Sequence, residues 1–139
     1  MVKFTEIQQA FFFVSSEGYG FHSAVLNRET GRLYYRSEIG DLDEITDADL
    51  DLDACIDIPH RNDLGLSQEL VFEFVADHLP DEYGRTQQIF RKRGAYGRFK
   101  DLLESKGLLQ TWFDFEHERE EQALRQWCAE NDIQSSGYR

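Results

Sequence analysis

Residues 91–131, RKRGAYGRFKDLLESKGLLQTWFDFEHEREEQALRQWCAEN, constrain the fold more than any other stretch. They hold the longest helical periodicity, both tryptophans and most of the clustered positive charge. At about 100° per residue, Tyr96, Phe99, Leu102 and Leu103 share one face of a helix over 95–106, with Ala95 beside them. Arg98 and Lys100 fall on opposite edges of that face, where their stems cover apolar surface and their heads stay in water. Gly107 stands where a helix end needs positive φ, and Leu108 then closes back on Leu103. The periodicity resumes over 109–130, and so short a connection predicts an antiparallel helical hairpin.

The second of these helices has an apolar stripe of Trp112, Phe113, Ala123, Leu124, Trp127 and Cys128. Glu116 and Glu120 fall near its middle, not on its polar side. A carboxylate is costly to bury there unless it is paired and hydrogen-bonded. The cations nearest in sequence are Arg91, Lys92, Arg93, Arg98 and Lys100. The pattern therefore predicts that one or both glutamates meet a base, as a structural ion pair at a helix interface. The alternative is a carboxylate lining a binding groove.

The 139 residues read as one domain. An N-terminal part with a β-hairpin covers about 1–60, a helical part about 65–133, and a frayed tail 134–139. A hydrophobic fraction of 40% is that of a globular chain. The apolar run Phe11, Phe12, Phe13, Val14 is too short for a secretory signal core or a membrane span. Cys55 and Cys128 form neither a disulfide framework nor a metal-type spacing, and read as buried free thiols of a cytoplasmic protein.

Thr5 with Gln8 reads as a capping box opening a helix. Phe4, Ile7, Ala10, Phe11 and Val14 form its apolar face, and Phe12 and Phe13 widen the arc. The aromatic run alone also suits a strand, and the cap favours the helix. Residues 19–26 and 32–36 read as two strands joined by a turn ending at Gly31. Tyr34 and Tyr35 point to opposite faces, one packed and one exposed. His22 reads as a surface histidine. A third strand is predicted at 54–58, stopped by Pro59. His60 and Arg61 follow as an exposed loop pair, or alternatively as an anion site near a helix N-terminus. Ser67 caps the next helix, whose face is Leu70, Val71, Phe74, Val75 and Leu79. A further helix is read over 81–93, with Arg91, Lys92 and Arg93 in its last turn before Gly94.

Charge is unevenly spread. Eight acids and no base stand within 41–57, and six bases and no acid within 85–100. Asp49, Asp51 and Asp53 match the first positions of a calcium loop, but Ala54 replaces its glycine and His60 its bidentate glutamate. The stretch reads as a solvated acidic loop, with weak cation binding or docking to a basic partner as alternatives. The formal charge of −12 repels polyanions at long range without excluding a local basic face.

The motifs LNRETGRLYYRSE (26–38), IDIPHRNDL (56–64), FRKRGAYGRFKDLLESKGLL (90–109) and WFDFE followed by LRQWCAEN (112–131) resemble the uncharacterised bacterial protein family number 158. The similarity runs from about residue 5 to 133. That resemblance implies no activity, so no catalytic or ligand position carries over. Asn27 stands where the family pattern has Asp, which argues against a metal or base role there.

The expected architecture is α+β: a small antiparallel three-stranded sheet packed with about five helices and ending in the helical hairpin. The preferred functional reading is a non-enzymatic cytoplasmic interaction or regulatory module, binding a protein partner or a second copy of itself, without cofactor, metal or membrane. One alternative is nucleic-acid or polyanion binding through the basic 85–100 face; Tyr96 and Phe99 are read there as core, not as stacking platforms. The other is a hydrolase using His60 with Asp57, Arg61 or Asp63. No nucleophile motif, phosphate-binding glycine loop or paired-histidine motif supports it. The surface candidates are thus Arg91, Lys92, Arg93, Arg98, Lys100, Glu116, Glu120, His60 and Arg61.

Overall fold

A two-residue strand, β1 (Val2–Lys3), leads straight into helix α1 (Phe4–Ser15). The helix starts one residue before the expected cap, because the Lys3 N–H is satisfied by Glu6 Oε1 at 3.0 Å, three residues on. Phe4, Ile7, Ala10, Phe11 and Val14 are its buried positions. Phe12 is 47% exposed and Phe13 half-buried, so the helix buries one side and not the wider arc the phenylalanine run suggested. In this computed structural model, residues 1–136 are described, apart from the side chains of Asp47 and Ser136.

Strands β2 (His22–Asn27), β3 (Leu33–Ser37) and β4 (Cys55–Asp57) form an antiparallel sheet in the order β3-β2-β4. The register pairs Ala24 with Tyr35 and Leu26 with Leu33 on one side of β2, and Leu26 with Ile56 on the other. In the β2–β3 turn, Asn27 Oδ1 accepts the N–H groups of Glu29 (2.9 Å) and Thr30 (3.1 Å). Gly31 there has φ 76°, and a Cβ would come within 3.0 Å of the Val2 backbone nitrogen. Phe13 of α1 packs on the sheet against Tyr35 (centroids 5.2 Å apart, edge-on) and His22 (4.6 Å).

That packing corrects two expectations. His22 is half-buried against Phe13, while its neighbour Phe21 is 48% exposed. Tyr34 and Tyr35 are both half-buried, because the Arg32 guanidinium covers the Tyr34 ring at 5.3 Å.

The acidic stretch is more ordered than a solvated loop. Asp43 caps the short helix α2 (Glu44–Asp47) by accepting the Thr46 N–H at 3.0 Å. Glu44 accepts the Tyr35 N–H on the open edge of β3 at 3.0 Å, and Asp51 accepts the Asp53 N–H at 3.1 Å.

The chain divides into two compact units: Met1–Leu64 with residues from Glu121 onward, and Gly65–Glu120. The second holds α3 (Gln68–His78), α4 (Tyr83–Ile89), α5 (Ala95–Ser105) and the first part of α6 (Leu109–Glu130). Leu70, Val71, Phe74 and Val75 are the buried face of α3, as their spacing predicts. The joint between α5 and α6 is a Schellman ending. Leu108 N–H reaches Leu103 O (2.8 Å), Gly107 N–H reaches Glu104 O (3.1 Å), and Gly107 has φ 70°.

Helix α4 ends at Ile89, four residues short of the expected end. Phe90 turns into the aromatic cluster, edge-on to Tyr96 (5.1 Å) and near Phe99 (5.8 Å), and Gly94 takes φ 73°. Arg91, Lys92 and Arg93 thus stand on a turn beyond the helix and not in its last turn.

Helix α6 repeats the device of α5. Ile133 N–H bonds Cys128 O at 2.8 Å and Asp132 N–H bonds Ala129 O at 3.3 Å, with Asp132 at φ 54°. Of the tail read over 134–139, residues 137–139 lie outside the described residues. Strand β5 (Ser135–Ser136) pairs in parallel with β1.

Left-handed backbone costs a residue with a Cβ about 1 kcal/mol or more. Gly107→Ala is therefore expected to destabilise by about that amount, and Asp132→Gly to be neutral or stabilising. Thermal melts of the two variants, read against wild type, check the opposite signs.

Candidate functional site

His60 was expected in an exposed loop, yet it is buried, with 6% of its surface accessible. Arg61 is half-buried and its N–H donates to Ser15 Oγ at 3.0 Å. The reason is a closed set of hydrogen bonds. The Asn62 N–H can only donate, so His60 Nδ1 accepts it at 3.0 Å. The Glu17 carbonyl can only accept, so His60 Nε2 carries the proton it receives at 2.7 Å. These two bonds place a proton on Nε2 and engage both ring nitrogens with backbone.

Asp63 is engaged through both oxygens. One carboxylate oxygen accepts the His60 N–H at 3.0 Å, the other the Tyr19 hydroxyl at 2.7 Å. The Tyr19 ring lies 4.6 Å from the His60 ring. A general base needs a free nitrogen within reach of a substrate proton, and His60 offers none. Its imidazole ties the loop after α1 to the turn after Pro59. A pocket of about 200 Å³ beside it is lined by Tyr19, His22, Asp57 and His60 among others. His22 Nδ1 is buried without a hydrogen-bond partner. Among the described residues, no group of three or more His, Cys, Asp or Glu side chains could hold a metal ion.

Along α6, Trp112, Glu120, Leu124 and Cys128 are buried and Glu116 is half-buried, so the stripe recurs every four residues and includes both glutamates. Phe113 leaves it: the ring is 38% exposed, with Lys100 Nζ 5.7 Å from its centroid, and Phe115 packs inward in its place against Phe74 (5.3 Å) and Trp112 (6.0 Å). Of the other bases named as counter-ions, Arg98 donates through Nη2 to the Arg93 carbonyl.

The basic segment is the most exposed of the candidates. Arg85, Arg91, Lys92, Arg93, Arg98 and Lys100 are all exposed, and Arg85 meets Glu82 at 3.4 Å. The Arg98–Arg93 bond spans Gly94 and holds the turn closed, while Phe90 anchors it from inside. Tyr96, expected in the core with Phe99, is 42% exposed, whereas Phe99 is fully buried. Sequence spacing placed both on one face; the depth of each followed from Phe90, which occupies the space beneath Tyr96.

The chain is thus an α+β protein with a three-stranded antiparallel sheet and a C-terminal helical hairpin, and no described helix is long and apolar enough to cross a membrane. It belongs to the family described as Uncharacterised protein family (UPF0158), whose model matches residues 24–137. No curated protein and no solved structure matches it.

The bond to Asp63 raises the Tyr19 pKa above its ordinary 10.0, helped by partial desolvation and by the carboxylate charge. The folded state therefore holds this proton more tightly than the unfolded chain. That contribution to stability is complete below the ordinary value and is lost as pH rises through the raised folded value. In ultraviolet titrations, Asp63→Asn is expected to shift one tyrosine transition downward while Tyr19→Phe removes it.

Proposed function

We propose that the protein is a non-catalytic binding module that takes a polyanionic partner on the exposed basic turn of its second unit. The observation that carries this reading is the turn itself. Arg91, Lys92 and Arg93 project from a segment whose shape is held by the Arg98 bond to the Arg93 carbonyl and by the Phe90 ring. Six bases without an intervening acid are a local exception in a chain of net charge −12. A turn whose backbone is already held loses little chain freedom on binding, which favours a preorganised contact.

The acidic remainder repels polyanions only at long range, and screening over about 10 Å at 0.1 M salt confines that repulsion. Asp43, Glu44 and Asp51 serve local backbone N–H groups, which makes the acidic stretch a weaker candidate surface. The two free thiols, Cys55 and Cys128, suit a reducing compartment, so we place the module's action in the cytoplasm.

Heparin, a polyanion without bases, tests the reading. The 139-residue chain is expected to bind it with an affinity that falls as salt rises. Replacing Arg91, Lys92 and Arg93 together by Ala should lower the slope of log affinity against log salt by about two to three, roughly one per lost contact. An unchanged slope in a folded triple variant would sink the assignment.

A further inference from the structure

Resting on that reading, we infer that the polyanion is a single-stranded nucleic acid, with phosphates on the basic turn and an unstacked base on Tyr96. Charge alone does not distinguish such a strand from an acidic protein surface, because carboxylates also pair with Arg and Lys. The ring does. Tyr96 is 42% exposed and stands among the cations, between Arg93 and Arg98 in sequence. It is also rigidly backed. Phe90 meets it edge-on at 5.1 Å with an interplanar angle of 90°, and Phe90 in turn rests on the fully buried Phe99 at 5.8 Å. An aromatic face fixed within a basic segment is what successive bases stack on when their phosphates are held by Arg and Lys. A duplex keeps its bases stacked inside and makes no use of the ring.

A second observation concerns Gly97, in the first turn of α5 next to Tyr96. Glycine costs a helix up to about 0.5–1 kcal/mol relative to alanine, the full amount applying in mid-helix. No heavy atom lies within 4 Å of where its Cβ would stand, so the packing of the fold does not require it. The same is true of Gly84 in α4. Each of these glycines immediately precedes an arginine of the basic set, Arg98 and Arg85. Bare backbone beside a cation lets a ligand approach closely, which gives these positions a use that the fold alone does not.

The experiment measures the 139-residue chain against fluorescent oligo(rU) and oligo(dT) of about ten nucleotides, within the usual footprint of a single-strand site. A duplex of equal length and heparin are the controls. The expected result is preference for the single strands over the duplex. Tyr96→Ala should weaken oligonucleotide binding by about tenfold or more, Tyr96→Phe should retain it, and both should bind heparin as wild type does. Gly97→Ala should raise the melting temperature yet weaken the oligonucleotides, which no purely structural role of that glycine would produce. Comparison of oligo(rU) with oligo(dT) separates RNA from DNA as the source. Heparin binding with equal affinity for duplex and single strand, or with no effect of Tyr96→Ala, would overturn the inference and reduce the contact to one made through charge alone. Absence of heparin binding would remove the polyanion reading beneath it.

Discussion

Phe99 and Trp112 meet edge to face with ring centroids 5.2 Å apart, and the arrangement of the second unit depends on that contact. Both are buried almost completely. Trp112 continues to Phe74 of α3 at 5.3 Å, and Phe99 continues to Phe90 in the turn, which reaches Phe72 at 5.9 Å. Each such pair contributes about 0.5–1.5 kcal/mol beyond the area it buries. More important is the geometry they impose: a chain of rings links α3, the turn after α4, α5 and the start of α6. Because Phe90 belongs to this chain, α4 stops early and the three cations after it are carried on a turn.

The first unit is held differently. Its core is aliphatic and aromatic side chains of α1 and β2, and its loops are joined by hydrogen-bonded polar groups. His60 gives both ring nitrogens to backbone, and Asp63 gives both oxygens to Tyr19 and His60. Thr86 in the second unit follows the same rule, donating from a fully buried hydroxyl to the Glu82 carbonyl at 2.8 Å. A buried polar group without a partner is expensive. The exceptions among described side chains are His22 Nδ1, whose ring lies against Phe13, and Trp112 Nε1, whose ring lies among Phe74, Phe99 and Phe115.

Charge is divided by use as well as by sign. Asp43, Glu44, Asp51 and Asp63 accept backbone N–H groups and so are part of the local architecture. Asp43 is held below the ordinary carboxylate range, chiefly by its bond to the Thr46 N–H. In the basic set, Arg98 closes the turn by bonding the Arg93 carbonyl, Arg85 meets Glu82 and Lys100 lies over the Phe113 ring. Arg91, Lys92 and Arg93 remain exposed. The fold thus uses these acids to hold its own backbone and leaves the three bases of the turn facing solvent.

Periodicity and capping chemistry alone determined much of this protein: the limits of α6, the Schellman ending at Gly107, the buried face of α3, the β2–β3 turn at Asn27 and the place of Glu116 and Glu120 on the inner stripe. These are local, set by helical angle, by positive φ and by side chains reaching one turn away. Tertiary structure alone decided the burial of His60, the inward turn of Phe90, the exposure of Tyr96 and Phe113, and the pairing of Val2 with Ser135. In each of these cases the deciding partner is another element or, for His60, Glu17 and Tyr19 more than forty positions away. A spacing rule reports which face a side chain occupies; how deeply it is covered depends on what the rest of the chain brings against that face.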